Sequence, residues 1–309
     1  MKVTIPKAQR GFSFVEIVVA IVIMGILAAG IVQFIVDSAS GYSVAAVRNQ
    51  VAASGRVVID RISMELHNAL PESVRVSTPL TSVDAGNGLG AAGDQCIEFM
   101  PVYRATTYLN PRIRPAAAST APFNVVDFVP PPANFPFDDH YAVIYPTSTT
   151  DLYKDVFSDT EAIVEVSVDD VDNGDGIQEL TPQASHRFKR ASSVDRLFLV
   201  KTPVSFCVSG NKLFRYSDYG FSTAQRVPLT TGDSCAAGMG ECLPAETPGR
   251  VLISDQLDNS AFTGGSNGQA FDVEPANRRR NAVIQLQLLF SQRGEQVLLN
   301  HEIMQQSTP

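Results

Sequence analysis

The sequence predicts an α+β protein in which a long N-terminal helix packs on an antiparallel β-sheet domain. Three observations predict this class. An apolar run of about 25 residues opens the chain after a short leader, a stretch of helical periodicity follows it, and short β-type runs fill the chain after Pro71. The 309 residues provide ample chain for a hydrophobic core.

The apolar run, residues 12–36, is long enough to cross a bilayer and carries one carboxylate, Glu16, near its start. Residues 1–11 form a basic leader with Lys2, Lys7 and Arg10. A charged group inside a membrane span costs roughly 2.5–3.5 kcal/mol on insertion scales, so such residues usually have a function. The basic leader predicts that the chain after the span lies on the outer side of the membrane.

Residues 37–70 are predicted to continue the helix with one apolar face. The residues of that face recur at helical spacing: Val44, Val47, Val51, Val58, Ile62 and Leu66. Pro71 predicts the end of the helix, which would be roughly 85 Å long if it were continuous from Phe12 to Ala69. Glycines at 25, 30, 41 and 55 could permit a bend.

Residues 71–309 are predicted to form a β-rich globular domain, periplasmic or extracellular. The predicted strands are residues 95–100, 140–145, 162–168, 196–201, 204–208, 212–216, 251–254, 282–290 and 295–304. Two hairpins are expected, with turns at 209–211 and 292–294. The Pro- and Ala-rich stretch 111–136 is expected to be an exposed insertion, and residues 230–250 and 259–277 are expected to be long loops.

The charge balance argues against a nucleic-acid partner. The net charge is −8, and it falls to −11 once the three basic residues of the leader are removed. Phosphate binding needs a cationic surface. The densest basic run, Arg278-Arg279-Arg280, lacks interleaved aromatic residues and is expected to be solvated.

All four cysteines follow the apolar run: Cys96, Cys207, Cys235 and Cys242. An even number of cysteines in an exported domain indicates disulfides, although the sequence leaves three connectivities open. A local Cys235–Cys242 bridge with Cys96–Cys207 joining two strands is the favoured pairing, and four reduced core thiols are the alternative. The cysteines lack the paired spacing of a zinc site.

One acidic segment could bind Ca²⁺ through Asp170, Asp172, Asp175 and Glu179. The spacing is one residue off that of an EF-hand loop, and a hairpin turn explains the same residues without metal. Otherwise no cofactor is expected. A G-x-S-x-G match at 264–268 lacks the preceding strand and following helix of a nucleophile elbow, so we predict no enzyme activity.

The N-terminal segment allows three interpretations. A secretory signal would be cleaved after the small residues 28–30, but the apolar run continues past them and includes a carboxylate. A plain membrane anchor explains the length but not Glu16. The third interpretation is a resemblance: the string GFSFVEIVVAIV, residues 11–22, resembles the processing site of type IV pilins and pseudopilins.

The resemblance implies specific roles for three residues. A prepilin peptidase would cleave between Gly11 and Phe12 and N-methylate Phe12. Glu16 would be the fifth residue of the mature chain and would act in assembly with other major and minor pilins and the pilus assembly machinery. The chain would first be a single-pass inner-membrane protein and later part of the pilus at the cell surface. Ser13 and Phe14 depart from the commoner threonine and leucine of this motif.

The resemblance extends to a narrower group. Residues 56–75 are similar to the helix end of the MshO minor pilins of the mannose-sensitive haemagglutinin (MSHA) pilus, and the segments at 206–207 and 212–216 resemble that group and its relatives PilW and GspJ. This implies a minor pilin that assembles, primes or tips an MSHA-type pilus. The alternatives are a minor pseudopilin of type II secretion and a tip adhesin.

Overall fold

The computed structural model describes residues 13–77, 95–127, 140–168, 175–226, 243, 249–259, 269–275 and 281–305. The chain divides into two compact units, Met1–Gln50 and Val51–Pro309, which are described separately below. One α-helix, Phe14–His67 (α1), contributes residues to both. The α+β class with antiparallel sheets is confirmed.

Sixteen strands occur in the described residues. In chain order they are Arg75–Val76 (β1), Gln95–Phe99 (β2), Val102–Thr107 (β3), Phe123–Val126 (β4), His140–Val143 (β5), Thr160–Glu161 (β6), Ile163–Val168 (β7), Ile177–Pro182 (β8), Arg187–Phe188 (β9), Arg196–Val200 (β10), Val204–Ser209 (β11), Lys212–Tyr216 (β12), Arg250–Ser254 (β13), Phe271–Glu274 (β14), Ala282–Gln292 (β15) and Glu295–Gln305 (β16). A short 3₁₀ helix spans Thr149–Asp151.

The strands form four sheets. A five-stranded sheet has the order β1-β2-β11-β12-β13, a six-stranded sheet has the order β3-β10-β5-β7-β8-β4, and a three-stranded sheet has the order β14-β15-β16. A two-stranded pair of β6 and β9 is parallel, and the strand pairs of the three larger sheets are antiparallel.

The nine predicted strands are all present, with ends that differ by no more than two residues. Both predicted hairpins form as well. Gly210 adopts a φ of +58° in the turn between β11 and β12. Arg293 and Gly294 adopt φ values of +50° and +83° between β15 and β16, the left-handed pair that a two-residue hairpin turn requires.

Two loop predictions are wrong in part. Phe123–Val126, inside the expected insertion 111–136, forms an edge strand of the six-stranded sheet, with Phe123 and Val125 buried in its core. Phe271–Glu274, inside the expected loop 259–277, pairs with β15. Each of these strands is only four residues long, and β4 pairs with β8, more than fifty positions later in the sequence. Residues 128–136 of the expected insertion lie outside the described residues.

The helical part of the second unit supplies one wall of its core. The helix residues that are buried there are Val51, Gly55, Val58, Ile59, Ile62, Ser63 and Leu66. Because this face packs on the sheets, the compact unit that contains the sheets includes the helix from Val51 onwards. Of the predicted apolar face, Val44 remains 48% exposed, and it belongs to the first unit.

Polar side chains join the helix end and the sheets within this unit. Glu65 receives hydrogen bonds from Arg215 of β12 at 2.9 and 3.1 Å. Gln305, at the end of β16, donates to the carbonyl oxygens of Ala69 and Leu70 at 3.1 and 3.2 Å. The side chain of Gln95 bonds both the N–H and the carbonyl of Phe271, which ties the five-stranded sheet to the three-stranded one.

Candidate assembly segment and the surrounding sites

The candidate functional site is the start of α1. The helix begins at Phe14, and the carbonyl oxygen of Ser13 accepts hydrogen bonds from the backbone N–H groups of Glu16 and Ile17 at 3.1 and 3.2 Å. Glu16 therefore lies in the first turn, where a negative charge is favoured by the positive end of the helix dipole. The predicted cleavage pair, Gly11 and Phe12, lies outside the described residues.

Apolar side chains project on every side of this part of the helix. They include the exposed residues Phe14, Val15, Ile17, Val18, Val19, Ile21, Val22, Ile23, Met24, Ile26, Leu27, Ile31, Val32, Phe34, Ile35 and Val36. None of the most apolar 18-residue window is buried within the chain, and among the described residues α1 is long and apolar enough to cross a membrane. Water cannot cover such a surface without a large free-energy cost, so lipid or other apolar helices must cover it.

Comparison with known families agrees with this geometry. Residues 6–32 match the prokaryotic N-terminal methylation motif. This match supports a type IV pilin or pseudopilin. The motif implies processing by a prepilin peptidase and assembly with other pilin subunits, and with the exposed apolar helix it indicates membrane anchoring. It also indicates a structural rather than a catalytic protein. No curated protein and no solved structure matches the chain.

Two of the four cysteines are described, and they form a disulfide. Cys96 of β2 and Cys207 of β11 are directly opposite in the antiparallel ladder and are joined by an S–S bond. The bridge is buried with Tyr216, Tyr219 and Leu243 in one apolar cluster. It closes a loop with a sequence separation of 111 residues, and a cross-link over a long loop restricts the unfolded chain strongly. Cys235 and Cys242 lie outside the described residues.

The predicted Ca²⁺ ligands are only half described, since Asp170 and Asp172 lie outside the described residues. Asp175 accepts a hydrogen bond from the backbone N–H of Ile177 at 2.9 Å, and Gly176 adopts a φ of +75°. Glu179 lies on β8, which pairs with β7 in an antiparallel hairpin. No cluster of three or more metal-ligating side chains occurs within the described part of the chain. Calcium binding stays a prediction, and titration calorimetry of the detergent-solubilised chain would contradict it if millimolar Ca²⁺ gives no binding heat.

A buried ion pair holds the first strand of the five-stranded sheet. Arg75 Nε lies 2.6 Å from Glu98 Oε2, and the guanidinium also donates to the carbonyl oxygens of Ser222 and Thr223. Burial raises the pKa of Glu98, although the charge of Arg75 acts against it. The guanidinium stacks on the ring of Tyr153 at 3.8 Å from the centroid. Local periodicity does not predict this pair, because the two residues are 23 positions apart and one lies on a two-residue strand.

A pocket of about 550 Å³ opens beside this ion pair. Its lining consists of Arg75, Thr149, Thr150, Tyr153, Lys154, Asp155, Val156 and Thr223. The volume lies in the range of small-ligand sites. We did not predict this pocket from the sequence, and the one local signal for it is the run of hydroxyl residues at 147–150 followed by an aromatic and two charged residues.

The serine motif at 264–268 lies outside the described residues apart from its flanks. The strand Phe271–Glu274 follows it within three residues, where the nucleophile elbow requires a helix. The serine motif therefore gives no support for enzyme activity, and the pilin-type motif indicates a structural protein.

Proposed function

We propose that the chain is a minor type IV pilin, MshO-like, that acts in the assembly, priming or tip of an MSHA-type pilus. The observation that carries this proposal is the N-terminal methylation motif on a helix whose apolar surface is exposed all round. A single anchor would need the apolar surface but not a carboxylate in its first turn. Size supports a minor role, because 309 residues exceed what a compact repeating shaft subunit needs.

Glu16 is proposed to select the position of each subunit along the filament. Cleavage after Gly11 would leave the amine of Phe12 four residues before Glu16. When subunits stack, both charges would be surrounded by apolar helices, where an unpaired charge is far more costly than a paired one. Pairing of Glu16 with the Phe12 amine of a neighbouring subunit satisfies both charges. The carboxylate therefore acts on register as much as on affinity.

The MshO part of this proposal rests on the sequence resemblance of three segments. Residues 56–75 contain the buried face of α1 and continue to β1, and the two strand segments are parts of β11 and β12. We propose inner-membrane insertion with the sheet domain in the periplasm, followed by transfer to the pilus at the cell surface. The proposed partners are the prepilin peptidase, other major and minor pilins and the assembly machinery. Nucleic acid is not expected, given the net charge of −8.

Mass spectrometry of the N-terminus tests the proposal. Protein extracted from membranes of the native host should begin at N-methylphenylalanine 12, and a Gly11→Val variant should keep residues 1–11. An N-terminus after residues 28–30 would instead show a secretory signal, and an unprocessed chain would show a plain anchor. Deletion of the chain should abolish piliation, and recovery at near-stoichiometric amounts along the shaft would contradict a minor role.

Two alternative functions predict different phenotypes when the gene for this chain is deleted. A type II secretion pseudopilin would leave pili intact and stop protein secretion. A tip adhesin would leave pili intact and remove attachment, and the pocket beside Arg75 and Tyr153 is the observation that favours it. A Thr150→Arg substitution, which places a large side chain at that pocket, should then reduce attachment, whereas Val194→Arg, at an exposed residue outside the pocket lining, should not.

A further inference from the structure

The pocket beside Arg75 is built by three separate parts of the sheet domain. Arg75 lies on β1, residues 149–156 lie between β5 and β6, and Thr223 follows β12. The backbone N–H of Asp155 donates to Thr223 Oγ1 at 3.3 Å, and the backbone N–H of Thr223 donates to Asp155 Oδ1 at 3.0 Å. Arg75 donates to the carbonyl oxygen of Thr223 at 2.7 Å. The polar groups of the pocket are therefore held in place without a ligand, which lowers the entropic cost of binding one.

The charges of the lining groups and their partners cancel. The two cations of the lining are each paired with a buried carboxylate: Arg75 with Glu98 and Lys154 with Glu161. The third carboxylate is that of Asp155, whose pKa is lowered by hydrogen bonds from Thr223 and by the charge of a third cation, Arg226. Three cations and three carboxylates sum to zero, so a phosphate or carboxylate ligand gains no net attraction here.

Apolar ligands and metal ions fit the pocket no better. Of the two large apolar side chains in the lining, the ring of Tyr153 is buried beneath the guanidinium of Arg75, and Val156 alone is exposed. Asp155 is the only carboxylate of the lining. In the described ranges no three metal-ligating side chains come together. A ligand of this pocket must therefore be recognised through hydrogen bonds.

The pocket offers a mixture of hydrogen-bond donors and acceptors. Thr149, Thr150 and Thr223 each contribute a hydroxyl, which can donate and accept. The hydroxyl of Thr149 makes no hydrogen bond to any described part of the chain. Arg75 uses three of its five N–H groups within the protein, which leaves two. The exposed carboxylate of Asp155 can accept from two hydroxyl donors at once. Adjacent hydroxyl groups on a sugar ring supply the matching donors and acceptors.

We propose that this pocket binds a neutral saccharide. Asp155 accepts hydrogen bonds from two adjacent hydroxyl groups of one sugar ring, and Arg75 and Thr149 donate to oxygen atoms of the same ligand. The volume of about 550 Å³ lies in the range of small-ligand sites. This inference concerns the sheet domain and holds whether or not the chain joins a filament. If the chain is a tip adhesin, it names the class of ligand.

Ligand-observed NMR titration of the full chain tests the proposal. The chain is kept in a detergent without a sugar head group, because a glycoside detergent would compete for the pocket. The probes are the methyl glycosides of glucose, whose adjacent hydroxyls are all trans, and of galactose, which has a cis pair. At least one should bind with a Kd below about 10 mM. The methyl glycoside of glucuronic acid, which carries a carboxylate, should bind no more tightly than the neutral probes.

Two substitutions place the binding in this pocket. Asp155→Asn keeps the shape of the side chain but removes its charge, and charge-assisted hydrogen bonds are about twice as strong as neutral ones. It should weaken binding at least about fivefold. Thr149→Val removes one hydroxyl at nearly constant volume and should weaken binding about threefold. The matched control Asp272→Asn, at an exposed carboxylate outside the lining, should leave the Kd unchanged.

The unfolding temperature of each variant is measured first, and Thr149→Val decides the test if Asp155→Asn is destabilised. Absence of binding by both neutral glycosides overturns the proposal. Tighter binding of the glucuronic acid glycoside overturns it too, because the pocket would then select an anion. Binding that is unchanged in the stable pocket variants, or that Asp272→Asn weakens to the same extent, would place the saccharide elsewhere on the chain.

Discussion

The two parts of α1 belong to one helix but differ in the burial of their apolar side chains. In residues 14–50 every apolar side chain except those of Ala20 and Val47 is exposed, and none of the most apolar window is buried within the chain. In residues 51–67 seven positions are buried against the sheets, and they recur at helical spacing. The difference shows that one helix can have two environments along its length, one outside the chain and one in the protein core. The first part is apolar all round and needs partners outside the chain, whereas the second has one apolar stripe and finds its partner within it.

The first expected effect concerns Glu16, because its proposed partner is the Phe12 amine of another subunit. Glu16→Ala should lower recovery in sheared filaments at least about tenfold, the factor that about 1.4 kcal/mol of lost pairing produces. The unfolding temperature of the sheet domain should not change. Asp37→Ala, which removes the only other carboxylate of residues 13–50, is the control, and it should be recovered normally. Equal recovery of both variants would show that the acid has no role in assembly.

The second comparison uses the same substitution in both parts of the helix. Ile62 is fully buried and Ile26 is 70% exposed. Ile62→Ala should lower the free energy of unfolding by about 2–5 kcal/mol, because it removes buried methylene groups and leaves a cavity. Ile26→Ala should leave it unchanged in detergent. Denaturation of the full chain in detergent, followed by near-UV circular dichroism, measures both, and a loss of stability from Ile26→Ala would mean that the first part also packs on the chain.

Much of this contrast could be predicted from the sequence, because it depends on the spacing of apolar residues over a few helical turns. The all-round apolar run and the stripe containing Val58, Ile62 and Leu66 need only near neighbours to be recognised. The long hairpin of β15 and β16 was equally visible, since both strands are long and a glycine turn joins them.

What the sequence could not show depends on contacts between distant residues. β4 was hidden in a Pro-rich stretch, because its four residues become a strand only through pairing with β8 more than fifty positions later. Gly55 suggested a bend, yet α1 is continuous there and the glycine lies against Leu299 and Phe290. At the candidate site the cleavage pair and Glu16 follow from the motif, which needs only neighbouring residues of the sequence.

Low pH should destabilise the sheet domain and not the apolar part of the helix. His186 is buried in the sheet domain, and burial lowers its pKa to about 4, although the charges of Glu161 and Asp159 act against this shift. The folded chain therefore holds this ring neutral at pH values where the unfolded chain protonates it. Stability is fully present above about pH 6.5 and is lost as the pH falls towards 4, by about 1–2 kcal/mol after allowance for solvent screening.

His186→Phe isolates this contribution. The ring of His186 already packs edge-on against Phe188 at 4.7 Å, so phenylalanine fits the site. The difference in free energy of unfolding between pH 7 and pH 4.5 should be smaller in the variant than in the native chain. The far-UV signal of the apolar helix should not follow the same pH dependence. An unchanged pH profile in the variant would assign the acid sensitivity to other groups of the sheet domain.

The smallest effect tests how closely the sheet approaches the helix. An added Cβ at Gly55 would lie 2.6 Å from Leu299 Cδ1 and 2.9 Å from Phe290 Cδ2, whereas one at Gly41 would meet no atom within 4 Å. Overpacking costs typically 1–3 kcal/mol, and alanine regains up to about 1 kcal/mol of helix propensity, so Gly55→Ala should destabilise the chain by about 1 kcal/mol. Gly41→Ala should cause no loss. If both substitutions stabilise the chain equally, the side chain of Leu299 moves aside freely and the helix does not pack tightly against β16 at this point.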